Sequence, residues 1–486
     1  VQRVLPLLLL VAGCTSLAGS FAPNGRLTFP EKPALVEGRA RSFDVDGNGA
    51  IDFKVDGDTL SYDDDEDGTY DRVYHLGEYD SDQVPHLLLL IDSLPYRFVT
   101  ERYEAGQWNW FCPPQLVIPP FPSLSEVTFS AIMGAPPMGG AIERYYDKRD
   151  NEIHNLYTAR AFGYKHPWQR RVDGQLKNYR EVGYSYLNPR PWYLAELERA
   201  KQTLDASPNR FTSVYIVSSS AMVSRYGRVG LDECLDRVEQ LCLQLLYERH
   251  GALKITIVSD HGHNLAVSPN FPVAEILGAA GFRVAESIED PDRDVVPEID
   301  GLVTYFGVHT KRPRAVAEAM LPRPEIQLAM YMEGDSVVVR SRQGAARIER
   351  RDGRFRYTPD AANGDVLAFG DLAGRWLTGE EWMEATAHGD WPDAPRRVWE
   401  AFHSLVINPA DVMFTLHDGH CAGSPSMEKW IDMQSTHGGL NRVNSDAVVL
   451  SMVRALPQPV RSRDVLPALF SGSAIEPRGA AVAEDE

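Results

Sequence analysis

Three short apolar runs decide most of what this chain can fold into. His86–Ile91 reads H-L-L-L-L-I, and residues 214–217 and 255–258 read V-Y-I-V and I-T-I-V. A strand with one wet face alternates apolar and polar residues, whereas near-continuous runs suit strands buried on both faces of a parallel sheet. Between the last two runs, Leu231, Cys234, Leu235, Val238, Leu241, Cys242 and Leu245 recur with the i, i+3, i+4, i+7 spacing of an amphipathic helix. Each run ends in polar residues: Asp92, then Ser218-Ser219-Ser220, then Ser259-Asp260-His261. Ligands of α/β sheets bind beyond the carboxyl ends of strands, so these ends are expected to converge on one site. The expected fold class is therefore α/β, with a mostly parallel central sheet flanked by helices. A chain of 486 residues, 43% hydrophobic and 24% charged, has room for one large such domain or two medium ones.

With 68 acidic against 49 basic side chains the formal charge is −19, which argues against binding a nucleic-acid duplex or adhering broadly to anionic membranes. Five cysteines are too few for a disulfide scaffold, and no C-x-x-C pair suggests a zinc knuckle. Cys234 and Cys242 on one helix lie about 12 Å apart, too far to bridge; a Cys112–Cys421 disulfide has no support in the sequence.

The apolar run 5–12 follows Arg3 and is too short to span a bilayer, which takes about 20 residues. It has the form of a secretory h-region, and Val11-Ala12-Gly13-Cys14 resembles the lipobox of bacterial lipoproteins. Residues 1–14 then read as a lipoprotein signal peptide, with lipid on Cys14. The resemblance implies an exported protein anchored to a bacterial membrane, with the outer membrane expected. Residues 15–40 read as a linker, and 471–486 as a disordered tail.

Residues 42–52 read S-F-D-V-D-G-N-G-A-I-D and residues 61–71 read S-Y-D-D-D-E-D-G-T-Y-D, the same pattern displaced by nineteen positions. Alternate aspartates followed by glycine put hard oxygen donors around a tight turn, which suits calcium. Asp44, Asp46, Asn48 and Asp52 form one candidate structural calcium site, and Asp63, Asp65, Asp67 and Asp71 the other. Val55 and Tyr74 stand where an EF-hand has its bidentate glutamate, so the 41–75 segment resembles the shortened loops of dockerins and thrombospondin-type repeats. The competing reading is a pair of solvated Asp/Gly hairpin turns.

Three further pieces lie near the strand ends. Phe121-Pro122-Ser123-Leu124-Ser125-Glu126 leads into a helical stretch, which puts a serine hydroxyl at a helix N-terminus where an anion is favoured. Ser123 and Glu126 also have capping-box spacing, which would leave Ser125 free. The other two pieces are Ser259-Asp260-His261-Gly262 and Ser435-Thr436-His437-Gly438. In this order they resemble the motifs of the alkaline phosphatase superfamily, in its type I phosphodiesterase/nucleotide pyrophosphatase branch, across residues 80–470. The resemblance implies an alkaline-phosphatase-like fold with a small antiparallel β insertion, for which the alternating stretch near 327–385 is the candidate. It implies Ser125 as nucleophile of a phosphoric ester hydrolase working through a phosphoseryl intermediate on a small-molecule phosphate ester. It also implies divalent metal, zinc in one or two ions, with Asp92, Ser125, Asp260 and His261 at one site and His437 at the other. Two carboxylates and an imidazole suit zinc, which would activate the hydroxyl.

The chain departs from the family where D-x-x-x-H-x-x-G is expected. Ser220 and Ser224 replace both metal ligands ahead of Gly227. Neutral hydroxyls are poor zinc ligands, and His437 alone does not make a stable site. A reduced metal centre follows, with the missing positive charge assigned to Arg225, to His263, or to His437 when protonated. The alternative function is a catalytically degenerate surface protein that binds a ligand without turning it over. A sulfatase-like reading fails because Ser125-Glu126-Val127-Thr128-Phe129 lacks the C/S-x-P/A-x-R context of that nucleophile. Trp108, Trp110 and Phe111 could line an access groove or pack a loop.

Overall fold

The computed structural model describes residues 25–471 apart from 162, 178, 361–363, 425–428 and 430. The lipobox with Cys14 and the tail 472–486 lie outside the described residues. No described helix is long and apolar enough to cross a membrane.

The central sheet has six strands in the order Phe211–Ile216, His86–Ile91, Lys254–Ser259, Ala447–Ser451, Gln115–Ile118, Val460–Arg461. All run parallel except Ala447–Ser451, which is antiparallel to both neighbours. The three apolar runs are adjacent, and both faces of the middle one are covered. Leu87, Leu89 and Ile91 pack with the apolar stripe of the long helix Ser218–Glu248, while Leu88 and Leu90 pack on the opposite side with Phe129, Ile132 and Trp168. Each such side chain contributes about 1.5–3 kcal/mol on burial, which is why no polar residue interrupts the run. Trp108, Trp110 and Phe111 belong to the first of these cores, so they pack rather than line a groove.

Register then sets up the site. His86 lies opposite both Phe211 and Lys254, so Ile91 lies opposite both Ile216 and Ser259. The three strands end flush, and the next residues, Asp92, Val217 and Asp260, emerge side by side at one edge.

A second sheet of nine strands carries the stretch 327–385 and extends well beyond it. Ile326–Glu333, Ser336–Arg340, Ala345–Arg351, Arg354–Pro359 and Trp376–Thr378 form the expected antiparallel meander, but Arg283–Val284, Asp294–Glu298, Tyr305–His309 and Val412–Leu416 complete it. Local alternation marked the meander. Of the other four strands, Val412–Leu416 pairs across long sequence gaps with Tyr305–His309 and Ile326–Glu333, which leaves no local mark, whereas Arg283–Val284, Asp294–Glu298 and Tyr305–His309 pair with near neighbours in sequence.

The acidic repeat is a five-stranded antiparallel sheet, Leu35–Glu37, Ala40–Phe43, Phe53–Asp56, Thr59–Tyr62 and Arg72–His75. Part of the segment 15–40 therefore belongs to the fold: it supplies the first strand and the buried Leu27 and Phe29. Phe29, Phe53 and Tyr62 surround Tyr247 near the end of the long helix, and an Arg41–Glu239 ion pair ties the sheet to the same helix.

Candidate metal centre

Asp92 and Asp260 leave adjacent strands and are almost wholly shielded from solvent. Asp92 accepts hydrogen bonds from the Ser93 hydroxyl at 2.7 Å and the Tyr215 hydroxyl at 2.9 Å. One oxygen of Asp260 accepts from the Ser93 and His261 amides, each at 2.9 Å, and its Oδ2 has no hydrogen-bond partner. Burial raises both carboxyls above the usual range. Asp92 is pushed further by the charge of Asp260, and Asp260 reaches about 7 against the opposing hydrogen bonds.

His261 closes the cluster. Its Nδ1 lies 3.0 Å from the Gly262 carbonyl, which can only accept, so Nδ1 carries the proton and Nε2 of the neutral ring presents a lone pair. That lone pair is 3.1 Å from Asp260 Oδ2, 3.8 Å from Asp92 Oδ1 and 3.1 Å from Ser125 Oγ. Burial holds His261 down to about 3, so the ring supplies no positive charge of its own. Acceptors thus face acceptors in a dry space, an arrangement that fits a cation and is poorly satisfied by protein groups alone. The ligand atoms of Asp92, Asp260 and His261 all lie within 4.8 Å of one another.

Ser125 is the first residue of the helix Ser125–Ile132 and is 9% exposed, the most open member of the group. The expected capping box is not formed: Leu124 is the N-cap, and the Ser123 hydroxyl donates instead to the Gly439 carbonyl at 2.9 Å. Ser123 also accepts from Arg397, a buried guanidinium that donates to the Ser445 hydroxyl and to the carbonyls of Leu440 and Pro392. Arg397 therefore clamps the loop before Ser125 to the segment carrying His437. Glu126 faces Glu143, His166 and Arg160 in a separate buried cluster.

His437 reaches the same edge from the other side. Its Nδ1 is 3.1 Å from the Ser123 carbonyl, its backbone carbonyl accepts from the Thr304 amide and hydroxyl, and its ring stacks on His261 with centroids 3.7 Å apart. His263 joins them, its ring 5.0 Å from that of His437. Burial and the neighbouring imidazoles push His263 and His437 below the ordinary histidine range, so neither is the protonated substitute for a missing metal that the sequence allowed. Arg225 donates through Nη1 to the Tyr186 and Leu187 carbonyls at 3.2 and 3.3 Å.

Ser220 and Ser224 are buried in the first turns of the long helix, ahead of Gly227, whose φ of 56° interrupts the helix and favours glycine. Ser220 accepts from the Tyr186 hydroxyl at 3.3 Å. Sequence reasoning missed Tyr186, Tyr215 and Arg397. Only Tyr215 carried a signal, a phenol inside an apolar strand whose hydroxyl needs a partner.

The acidic loops 44–52 and 63–71 leave the same end of their sheet, and Asn48 Nδ2 donates to Glu66 Oε1 to join them. In the first loop Asp44 accepts from the amides of Gly47, Asn48 and Gly49, and Asp52 from those of Val45 and Asp46. One oxygen each of Asp44, Asp46 and Asp52 lie within 4.8 Å of one another, while Asn48 Oδ1 accepts from the Ala50 amide. In the second loop Asp63, Asp65, Asp67 and Asp71 accept from the amides of Gly68, Asp67, Thr69 and Asp64. Cys112 and Cys421 form no disulfide with each other, and the Cys421 Sγ lies 3.1 Å from the Ser268 carbonyl.

No protein-family model and no curated protein matches the chain. Among solved structures it is similar to phosphonoacetate hydrolase from Sinorhizobium meliloti 1021 in complex with phosphonoformate, with 12% identity, a TM-score of 0.43, and 84% of this chain and 98% of that chain covered. The same enzyme in complex with phosphonoacetate gives 11% identity and a TM-score of 0.42 over 83% of this chain and 97% of that one.

Proposed function

We propose that the chain is a metal-dependent phosphoric ester hydrolase of the alkaline phosphatase superfamily, in its type I phosphodiesterase branch, with Ser125 as nucleophile. The observation that carries this is the meeting of Ser125 Oγ, the His261 Nε2 lone pair and two buried carboxylates, Asp92 and Asp260, at one strand edge. Asp92, Asp260, His261 and Ser125 would hold the cation, and a bound zinc ion would supply Lewis acidity at the serine oxygen and at the phosphoryl group. The chain's own residues do the rest. Tyr215 and Ser93 orient Asp92, the Ser93 and His261 amides orient Asp260, and the start of the Ser125–Ile132 helix favours the phosphate's negative charge. In-line attack by Ser125 Oγ breaks its O–H bond and forms the bond to phosphorus as the bond to the ester oxygen breaks, the proton leaving with the alcohol product; water then cleaves the phosphoserine to serine and phosphate.

A panel of a phosphate monoester, a phosphate diester and a sulfate ester, each with zinc, manganese and magnesium, tests the reading. Turnover of a phosphate ester supports it. Silence across the panel moves the assignment to the ligand-binding relative, which the loss of metal ligands at Ser220 and Ser224 favours.

Two further roles belong to the same proposal. The acidic loops hold structural calcium, supported by three carboxylates gathered within 4.8 Å in the first loop. Millimolar calcium should then raise the melting temperature by several degrees through mass action; an unchanged transition returns the loops to the hairpin-turn reading. Cys14 carries the lipid that anchors the protein to a bacterial membrane, supported by the lipobox-like Val11-Ala12-Gly13-Cys14. Metabolic labelling with an alkyne fatty acid should mark the wild type and not Cys14→Ala, and equal labelling would place the lipid elsewhere or nowhere.

A further inference from the structure

We infer that His263 and His437 hold a second cation beside the Asp92–Asp260–His261 centre, with His263 standing in for the ligands absent at Ser220 and Ser224. The inference rests on the reading of the carboxylate cluster as a cation site, and revises the expectation that His437 has no partner.

Gly262 brings these imidazoles together. A Cβ there would lie 2.2 Å from the Val443 carbonyl, so only glycine lets residues 261–263 press against the segment that follows His437. That close approach carries His263 into the cluster. The ligand nitrogens of His261, His263 and His437 all lie within 4.8 Å of one another. The imidazole following Gly262 thus offers a ligand from a different element of the fold than the long helix that carries Ser220 and Ser224.

His263 itself supplies the independent observation. Its ring is fully buried and its Nε2 has no hydrogen-bond partner among the described residues. An unpaired buried polar atom is costly, and a bound cation would satisfy it. The ring is held on its other side, with Nδ1 2.7 Å from Ser435 Oγ, which also accepts the Leu265 amide at 2.9 Å. Ser435 sits two residues before His437, so one short segment orients one imidazole and supplies the other. His437 is held in the same way, through Nδ1 at the Ser123 carbonyl, which leaves Nε2 for a ligand. Metal-binding histidines are oriented by such contacts of the second ring nitrogen.

The donor set also limits the ion. Two neutral imidazoles suit zinc or a neighbouring transition ion and are poor ligands for calcium or magnesium. His437 is the partly exposed member, so this position opens towards substrate whereas Asp260 and His261 are enclosed.

The test is metal content by elemental analysis after equilibrium dialysis against buffered zinc, in excess calcium to occupy the acidic loops. Wild type should hold two zinc ions per chain, and His263→Gln and His437→Gln one each. Asp260→Asn should retain the imidazole-held ion while losing the carboxylate-held one. A cobalt(II)-loaded sample gives a second readout, because the His263 variant should lose part of the visible absorption and keep the rest. One zinc per wild-type chain, or a His263→Gln protein with as much zinc as wild type, overturns the inference and leaves the carboxylate centre standing. No zinc at all overturns both. If His263→Gln fails to fold, the partly exposed His437→Gln carries the same comparison.

Discussion

Ser125→Ala is expected to abolish phosphate-ester turnover, a loss of at least about 10³-fold in kcat, while zinc content and melting temperature stay near wild type. The size follows from the absence of a substitute in the surroundings. The Ser123 hydroxyl is committed to Gly439 and Arg397, and the Ser93 hydroxyl to Asp92. Ser125 Oγ alone combines a helix N-terminus, partial exposure and a 3.1 Å approach to His261 Nε2. Retained zinc matters as much as lost activity, because Asp92, Asp260 and His261 remain in the variant. Turnover persisting in the alanine protein would sink the assignment of the nucleophile.

Asp260→Asn is expected to stabilise the metal-free protein at pH 7.5 and to abolish its stabilisation by zinc at the carboxylate site. Burial raises the Asp260 carboxyl to about 7, whereas an unfolded chain releases that proton near 4. Between those values the folded state holds a proton that the unfolded state has lost, so stability contributed at low pH declines as pH rises from about 4 to about 7. The loss is on the order of a few kcal/mol. Chelated wild type should therefore melt at a lower temperature at pH 7.5 than at pH 5. The asparagine protein should show a flatter profile and melt higher than chelated wild type at pH 7.5. Asparagine keeps an oxygen for the Ser93 and His261 amides and offers an N–H towards the His261 lone pair. Zinc should reverse the order. A destabilised asparagine variant in chelator at pH 7.5 would mean that a protein cation, not a metal, balances Asp260.

The strands that build the site were legible because burial on both faces writes itself directly into composition, as in H-L-L-L-L-I, whereas their flush register is set by pairing that the sequence does not display. Asp92, Ser125, Asp260, His261 and His437 were legible because each sits at the end of an element or in a short motif, and the structure brings all five to one edge. Ser123 was misread since capping-box spacing cannot reveal that the hydroxyl is claimed by Gly439, distant in sequence. Arg397 and Tyr186 act across similar distances and leave no local pattern. His263 was visible as a residue but not as a neighbour of His437, because that proximity depends on Gly262 meeting the Val443 carbonyl. The nine-stranded sheet was only half legible for the same reason.

The lone antiparallel strand Ala447–Ser451 has a consequence for the order of assembly. It lies between Lys254–Ser259, which delivers Asp260, and Gln115–Ile118, which leads to Ser125. Until that late segment inserts, the strand that delivers Asp260 and the strand that leads to Ser125 have no common neighbour. Contacts between such distant parts of a chain form slowly. A chain lacking its last strands would thus keep much of its apolar core while the two halves of the site stayed apart, and the cluster of Asp92, Ser125, Asp260 and His261 would be completed last.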